Sequence, residues 1–141
     1  MKSLLEQYIE HNHFGNLLGI EISYGEPGVI HHKLVVQKKH LATPNAIHGG
    51  CTAAILDATM GVGALTLVHE QKKVVATLEM KVSFFKGIAE CEKIFASSKP
   101  IKVGKKLLFM EADIVNEKGE LLARSSGTFS ILSAERSGYI V

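Results

Sequence analysis

The stretch from Asn45 to Val68, NAIHGGCTAAILDATMGVGALTLV, constrains this chain more than any other part of it. From Cys51 to Val68 it runs 18 residues with one charge, Asp57, and its apolar side chains fall on every side of a helix. As the most apolar part of the chain it looks like a central buried helix. Eighteen residues is near the lower limit for a membrane span. Against a span stand Asp57, three threonines and the paired glycines Gly61 and Gly63, with segments that read as soluble strands following. A buried core helix is the better reading. Asp57 then needs a reason, because a lone buried carboxylate costs several kcal/mol unless paired or neutralised.

The flanking segments supply the wrapping. Residues 19–26 and 29–37 alternate as strands do, with Pro27-Gly28 as the turn between them. Residues 73–86, 89–98, 105–116 and 121–132 also read as strands, the last two joined by the tight turn Asn116-Glu117-Lys118-Gly119. In the final strand Leu121, Ala123, Ser125, Gly127, Phe129 and Ile131 share one face. The start, MKSLLEQYIEHNHF, places Leu4, Leu5, Tyr8 and Ile9 as a short amphipathic helix rather than a continuous apolar leader. One long helix near the middle, with no βαβ alternation, gives an α+β fold. Its expected form is a long curved antiparallel sheet of about five to six strands around a central helix at about 49–68, plus the N-terminal helix. With no repeat or linker, residues 1–141 are expected to form a single domain.

Composition removes several function classes. At 46% hydrophobic and 21% charged the chain is not of a disordered type, and a net charge of +2 does not imply nucleic-acid binding. Cys51 and Cys91 lie 40 residues apart with no CxxC pair, and the histidines show no ligand spacing, so no metal is expected. The absent leader points to the cytoplasm, with both thiols reduced.

Candidate chemistry gathers at the helix start. His48-Gly49-Gly50 puts a two-nitrogen ring, then backbone without Cβ, at the unpaired amides and positive dipole end of a helix. That suits a polarised carbonyl oxygen, or simply a cap with a tight entry turn. Asp57 lies nine residues past His48, about 13 Å along the axis at 1.5 Å per residue. One helix cannot bring both to one small ligand. Either they serve separate purposes or two copies lie antiparallel, so that Asp57 of one meets His48 and Gly49 of the other. The small neighbours Ala53, Ala54 and Gly61 would permit that approach. Alternatively, Asp57 bonds internally to a strand hydroxyl such as Thr77 or Ser83. Cys51, in the first helical turn, is a rival nucleophile or a small buried side chain. Met80, Phe84 and Phe85 pack the core or line a pocket. Lys99, Lys102, Lys105 and Lys106 form either a solvated basic loop or a rim for a phosphorylated ligand.

The run His48-Gly49-Gly50, six residues, then Asp57, resembles the hotdog-fold acyl-CoA thioesterase superfamily, in particular its phenylacetyl-CoA-pathway-like branch. The resemblance extends over about residues 15–133. It implies that two central helices lie antiparallel in a homodimer, with a homotetramer also possible, and that the active site forms across the interface. It further implies that the Gly49 N–H polarises the thioester carbonyl, that His48 helps to position it, and that Asp57 of the partner chain activates water or attacks directly. Asn45, three before the His, and Thr77 are the natural candidates for the family's helper positions, with Gly50, Met60, Phe84, Lys105 and Lys106 toward the substrate. Two departures stand out: Ala42 sits six before the His, where the family usually has a polar residue, and Gly61 sits where some branches carry a hydroxyl. The implied function is hydrolysis of an acyl- or aryl-CoA to the free acid and CoA. CoA enters only as part of the substrate, with no cofactor and no nucleic-acid or membrane partner. The alternative is a non-catalytic acyl-CoA or acyl-carrier binding module.

Overall fold

A computed structural model describes residues 1–141. The central helix, α3, runs Gly49–Val68, within a residue of the expected span. Two short helices precede it, α1 (Leu4–His11) and α2 (His13–Leu18), the first closed by a Ser3–Glu6 capping box. The strands are β1 (Glu21–Tyr24), β2 (Ile30–Val35), β3 (Leu41–Thr43), β4 (Ala46–Ile47), β5 (Lys73–Phe84), β6 (Lys93–Val103), β7 (Leu107–Asn116) and β8 (Leu121–Ser133). Six of them form one antiparallel sheet in the order β1-β2-β6-β7-β8-β5, and β3 with β4 makes a separate small hairpin. This is the hotdog arrangement, with α3 lying against β2, β5, β6, β7 and β8.

The pattern of inward side chains explains why the sheet closes on the helix. Ile55, Leu56, Met60, Ala64 and Val68 of α3 share a buried cluster with Ile94, Ala96, Leu108, Met110, Ile114 and Phe129 of the sheet. Small residues let the helix sit close. A Cβ on Gly63 would lie 2.5 Å from Ser98 Oγ, which is itself held by the Ile30 N–H (3.0 Å) and by Gly28 O (2.9 Å). The segment Gly49–Gln71 has the length and hydropathy of a membrane span, but 61% of its most apolar window is buried inside the fold. That burial identifies it as the core helix.

Three expectations about elements are corrected. The strand expected at 89–98 begins at Lys93, because residues before it turn: Ala89 N–H bonds Glu92 Oε2 at 2.6 Å and Cys91 adopts φ 73°. It then continues to Val103 through Pro100, where the register with β7 shifts, as a proline inside a ladder requires. Lys99 and Lys102 therefore lie within a strand rather than a loop. The β3–β4 hairpin and α2 were not expected at all.

Candidate active site

The helix start is built by the hairpin before it. His48 N–H donates to His40 O (2.8 Å), and His40 is buried, with Nδ1 accepting from Gln37 N–H (2.9 Å) and Nε2 donating to Leu18 O (2.8 Å). His48 is the N-cap of α3. Its Nδ1 accepts from the Gly50 N–H at 2.7 Å, while its carbonyl takes the Cys51 and Thr52 amides at 2.9 and 3.3 Å. Two consequences follow. The His48 ring carries its proton on Nε2, which is left free to donate outward. The Gly49 N–H is the one amide of the first turn left without an acceptor. The capping reading and the carbonyl-binding reading of His48 are therefore compatible, since they use opposite edges of the ring.

Phe84, at the end of β5, stands beside Gly49. A Cβ on Gly49 would lie 3.6 Å from its ring, and the side chain is 56% exposed. A shallow cleft of about 250 Å³ is lined here by Gly49, Ile47, Phe84, Phe85 and Lys86. Lys86 pairs with Glu120 at 2.8 Å. Burial pushes the Cys51 thiol up, opposite to what a nucleophilic thiolate needs.

Asp57 is half-buried on the flank of α3, in a row with Ala54, Ala58 and Gly61 that the sheet leaves partly open. Thr77 Oγ1 donates to its Oδ1 at 2.7 Å. That is one of the two internal hydroxyls the sequence offered, and it orients the carboxylate without neutralising it. Beside the pair lies a cavity of about 350 Å³ with an apolar wall that includes Leu65, Val74, Val75 and Phe129. It is bordered on one side by Tyr8 and Tyr139, from the two ends of the chain, which the sequence did not single out. Burial, then the neighbouring Tyr139 and Asp57, push the Tyr8 phenol up to about 12, so it stays neutral beside the carboxylate.

The Thioesterase superfamily profile matches residues 45–123, which takes in β4, α3, β5, β6, β7 and the start of β8. The chain belongs to the thioesterase superfamily. Thioester hydrolysis is accordingly its general chemistry. Human acyl-coenzyme A thioesterase 13 is 24% identical over 132 residues, covering 91% of each chain. The Escherichia coli PaaI protein from the phenylacetic acid degradation operon superposes with a TM-score of 0.84 at 16% identity, over 92% of this chain and 91% of that one. A hypothetical thioesterase from Streptococcus pneumoniae, solved with coenzyme A, gives 0.74 at 18% identity, over 81% and 86%.

Within one subunit of this thioesterase fold, the expected site residues form two groups. His48, Gly49, Gly50 and Phe84 gather at the helix start; Asp57 and Thr77 sit together about 12 Å further along α3. Asn45 lies exposed at the tip of the β3–β4 hairpin, its N–H on Thr43 Oγ1 at 3.3 Å, and the fold does not bring it to Asp57. Met60 is corrected: it is fully buried, its sulfur accepting from Ser125 Oγ at 3.4 Å, and it is core rather than a ligand contact. Lys105 and Lys106 lie far from Gly49 of their own chain, toward the Thr77 end of β5. Their turn is bonded to β8 through Ile131 N–H and Lys106 O (3.0 Å), at the end of the sheet where β8 pairs with Val75. Gly49 is at the Phe84 end, nine residues along β5, or about 30 Å for an extended strand.

Proposed function

We propose that the protein hydrolyses an acyl-CoA thioester to the free acid and CoA, with each active site shared between two subunits. The observation that carries this reading is the orientation of Asp57. Its carboxylate is partly open, held by Thr77, and bordered by an apolar cavity, yet lies about 12 Å from its own Gly49. A second copy with its α3 antiparallel would bring a free Gly49 N–H to that carboxylate. The dimer reading draws support from β5, a 12-residue edge strand with one side unpaired and with exposed Leu78 (59%), Phe84 (56%) and Phe85 (58%) nearby.

In this arrangement the thioester carbonyl oxygen accepts from the Gly49 N–H at the positive end of α3, with the His48 Nε2–H as a second donor. Asp57 of the other subunit takes a proton from water as its oxygen attacks the carbonyl carbon. The tetrahedral intermediate collapses, the C–S bond breaks, and the CoA thiolate leaves and is protonated. Nothing in the sequence of steps calls for a cofactor. Thr77 holds Asp57 in line and keeps one oxygen for the water.

A thiol-release screen over short, long and aromatic CoA esters tests the reading, with Asp57→Asn as the control. Turnover in the parent and a loss of two orders of magnitude or more in Asp57→Asn is the expected result. Saturable binding of the esters without thiol release would instead make the protein a binding module.

A further inference from the structure

One wall of the cavity beside Asp57 comes from the two ends of the chain. Gln7 of α1, only 7% exposed, fastens them together. Its Nε2 donates to Ile140 O (2.8 Å) and to Lys2 O (3.2 Å), and its Oε1 accepts from the Ile140 N–H (3.0 Å). A side-chain amide satisfying both backbone groups of a residue 133 positions away is a latch, with both polar ends of the amide met. His11 reinforces it, with its ring edge-on to Tyr139 at 6.3 Å. Beneath the latch Leu4, Leu65, Val74 and Ala134 form a separate small core. The neighbours of the latched residues, Tyr8 and Tyr139, turn into the cavity together with Ser137.

We infer that the latched termini form the wall that limits the size of the acyl group, with Tyr8 and Tyr139 as specificity-determining residues for a compact acyl or aryl thioester. The inference rests on the thioesterase reading above for the cavity's occupant. Its volume, about 350 Å³, lies at the small end of the roughly 300–1,000 Å³ typical of ligand pockets. A long chain would have to displace the phenols. Both rings pack against the small core of Leu4, Leu65, Val74 and Ala134, so each variant's melting temperature is read beside its activity.

The test compares kcat/KM across saturated CoA esters from acetyl to palmitoyl for the parent, Tyr139→Ala, Gln7→Leu and Ser137→Phe. Binding of the matching non-hydrolysable thioethers is measured alongside. The parent should favour the shorter esters. Tyr139→Ala and Gln7→Leu should raise the long-to-short ratio by about tenfold or more, and Ser137→Phe should lower it. Ser137 lies on an exposed turn, so that variant reports even where Gln7→Leu fails to fold. Unchanged ratios in natively melting Tyr139→Ala and Ser137→Phe would overturn the inference. Absence of thiol release in the parent would sink the hydrolytic reading alone, since the thioether ratios still judge the wall.

Discussion

Gly49 and Asp57 make opposite demands on the same helix. In the proposed mechanism Gly49 must offer a bare N–H, and Gly49→Pro removes that N–H with little cost to the backbone. Proline is well suited to the first helical position, and His48 already has the extended ψ of 130° that a residue before proline needs. The variant should fold normally and lose about 10²–10³-fold in kcat. Full activity would remove the Gly49 amide from the mechanism. Thr77→Val keeps the shape of the side chain and deletes its bond to Asp57. A drop of roughly tenfold to a hundredfold in kcat with KM nearly unchanged is expected. A third residue acts on stability. Thr59 Oγ1 gives its proton to Ile55 O (2.6 Å), so buried His32 must donate from Nδ1 to Thr59 (2.9 Å) as a neutral ring. Burial pushes His32 down to about 4. The unfolded chain binds a proton there near the usual pKa of about 6.5, so stability is full above that pH and falls between about 6.5 and 4, by on the order of 3 kcal/mol. Urea midpoints for His32→Asn should show a flatter pH dependence across that window; an unaltered slope would exclude His32 as its source.

The elements differ in how plainly the sequence announces them. α3 and β5 are legible because an all-apolar run and a long alternating run leave few other structures open. The His48–Gly50 cap and the Asp57 offset are legible for the same reason, since both are counted along one helix. The β3–β4 hairpin is not, because Leu41–Thr43 and Ala46–Ile47 are too short to show a period, though it is what delivers His48 to its cap. Pro100 hides the continuation of β6, as a bulge absorbs it. The meeting of Tyr8 and Tyr139 at one cavity leaves no trace either, since a contact between the ends of a chain has no periodicity to read. The packing of α3 on the sheet is testable through its glycines. Gly63→Ala should destabilise by about 1–3 kcal/mol, since the new methyl meets a hydroxyl already committed to two backbone groups. Gly61→Ala meets only Phe129, at 3.6 Å, and should fold at least as well as the parent. Equal melting temperatures for the two variants would contradict this account of the helix–sheet contact.

At the scale of the molecule, the proposed mechanism has one chain carry both halves of a thioester site, separated along a helix axis. The free amide is at one end and the oriented carboxylate two turns away, with the acyl cavity on the carboxylate side. Under the proposed mechanism that separation would make a dimer part of the chemistry rather than a packing preference. It can be asked directly by mixing two inactive chains, Asp57→Ala and Gly49→Pro, by co-expression or by unfolding and refolding together. A mixed dimer contains one site with both defects and one with neither. Random pairing makes half of the dimers mixed, so thiol release should return to about a quarter of the parent's activity. If the mixture stays as inactive as either variant alone while mixed dimers are present by mass, the site is not shared between subunits and the central claim is wrong.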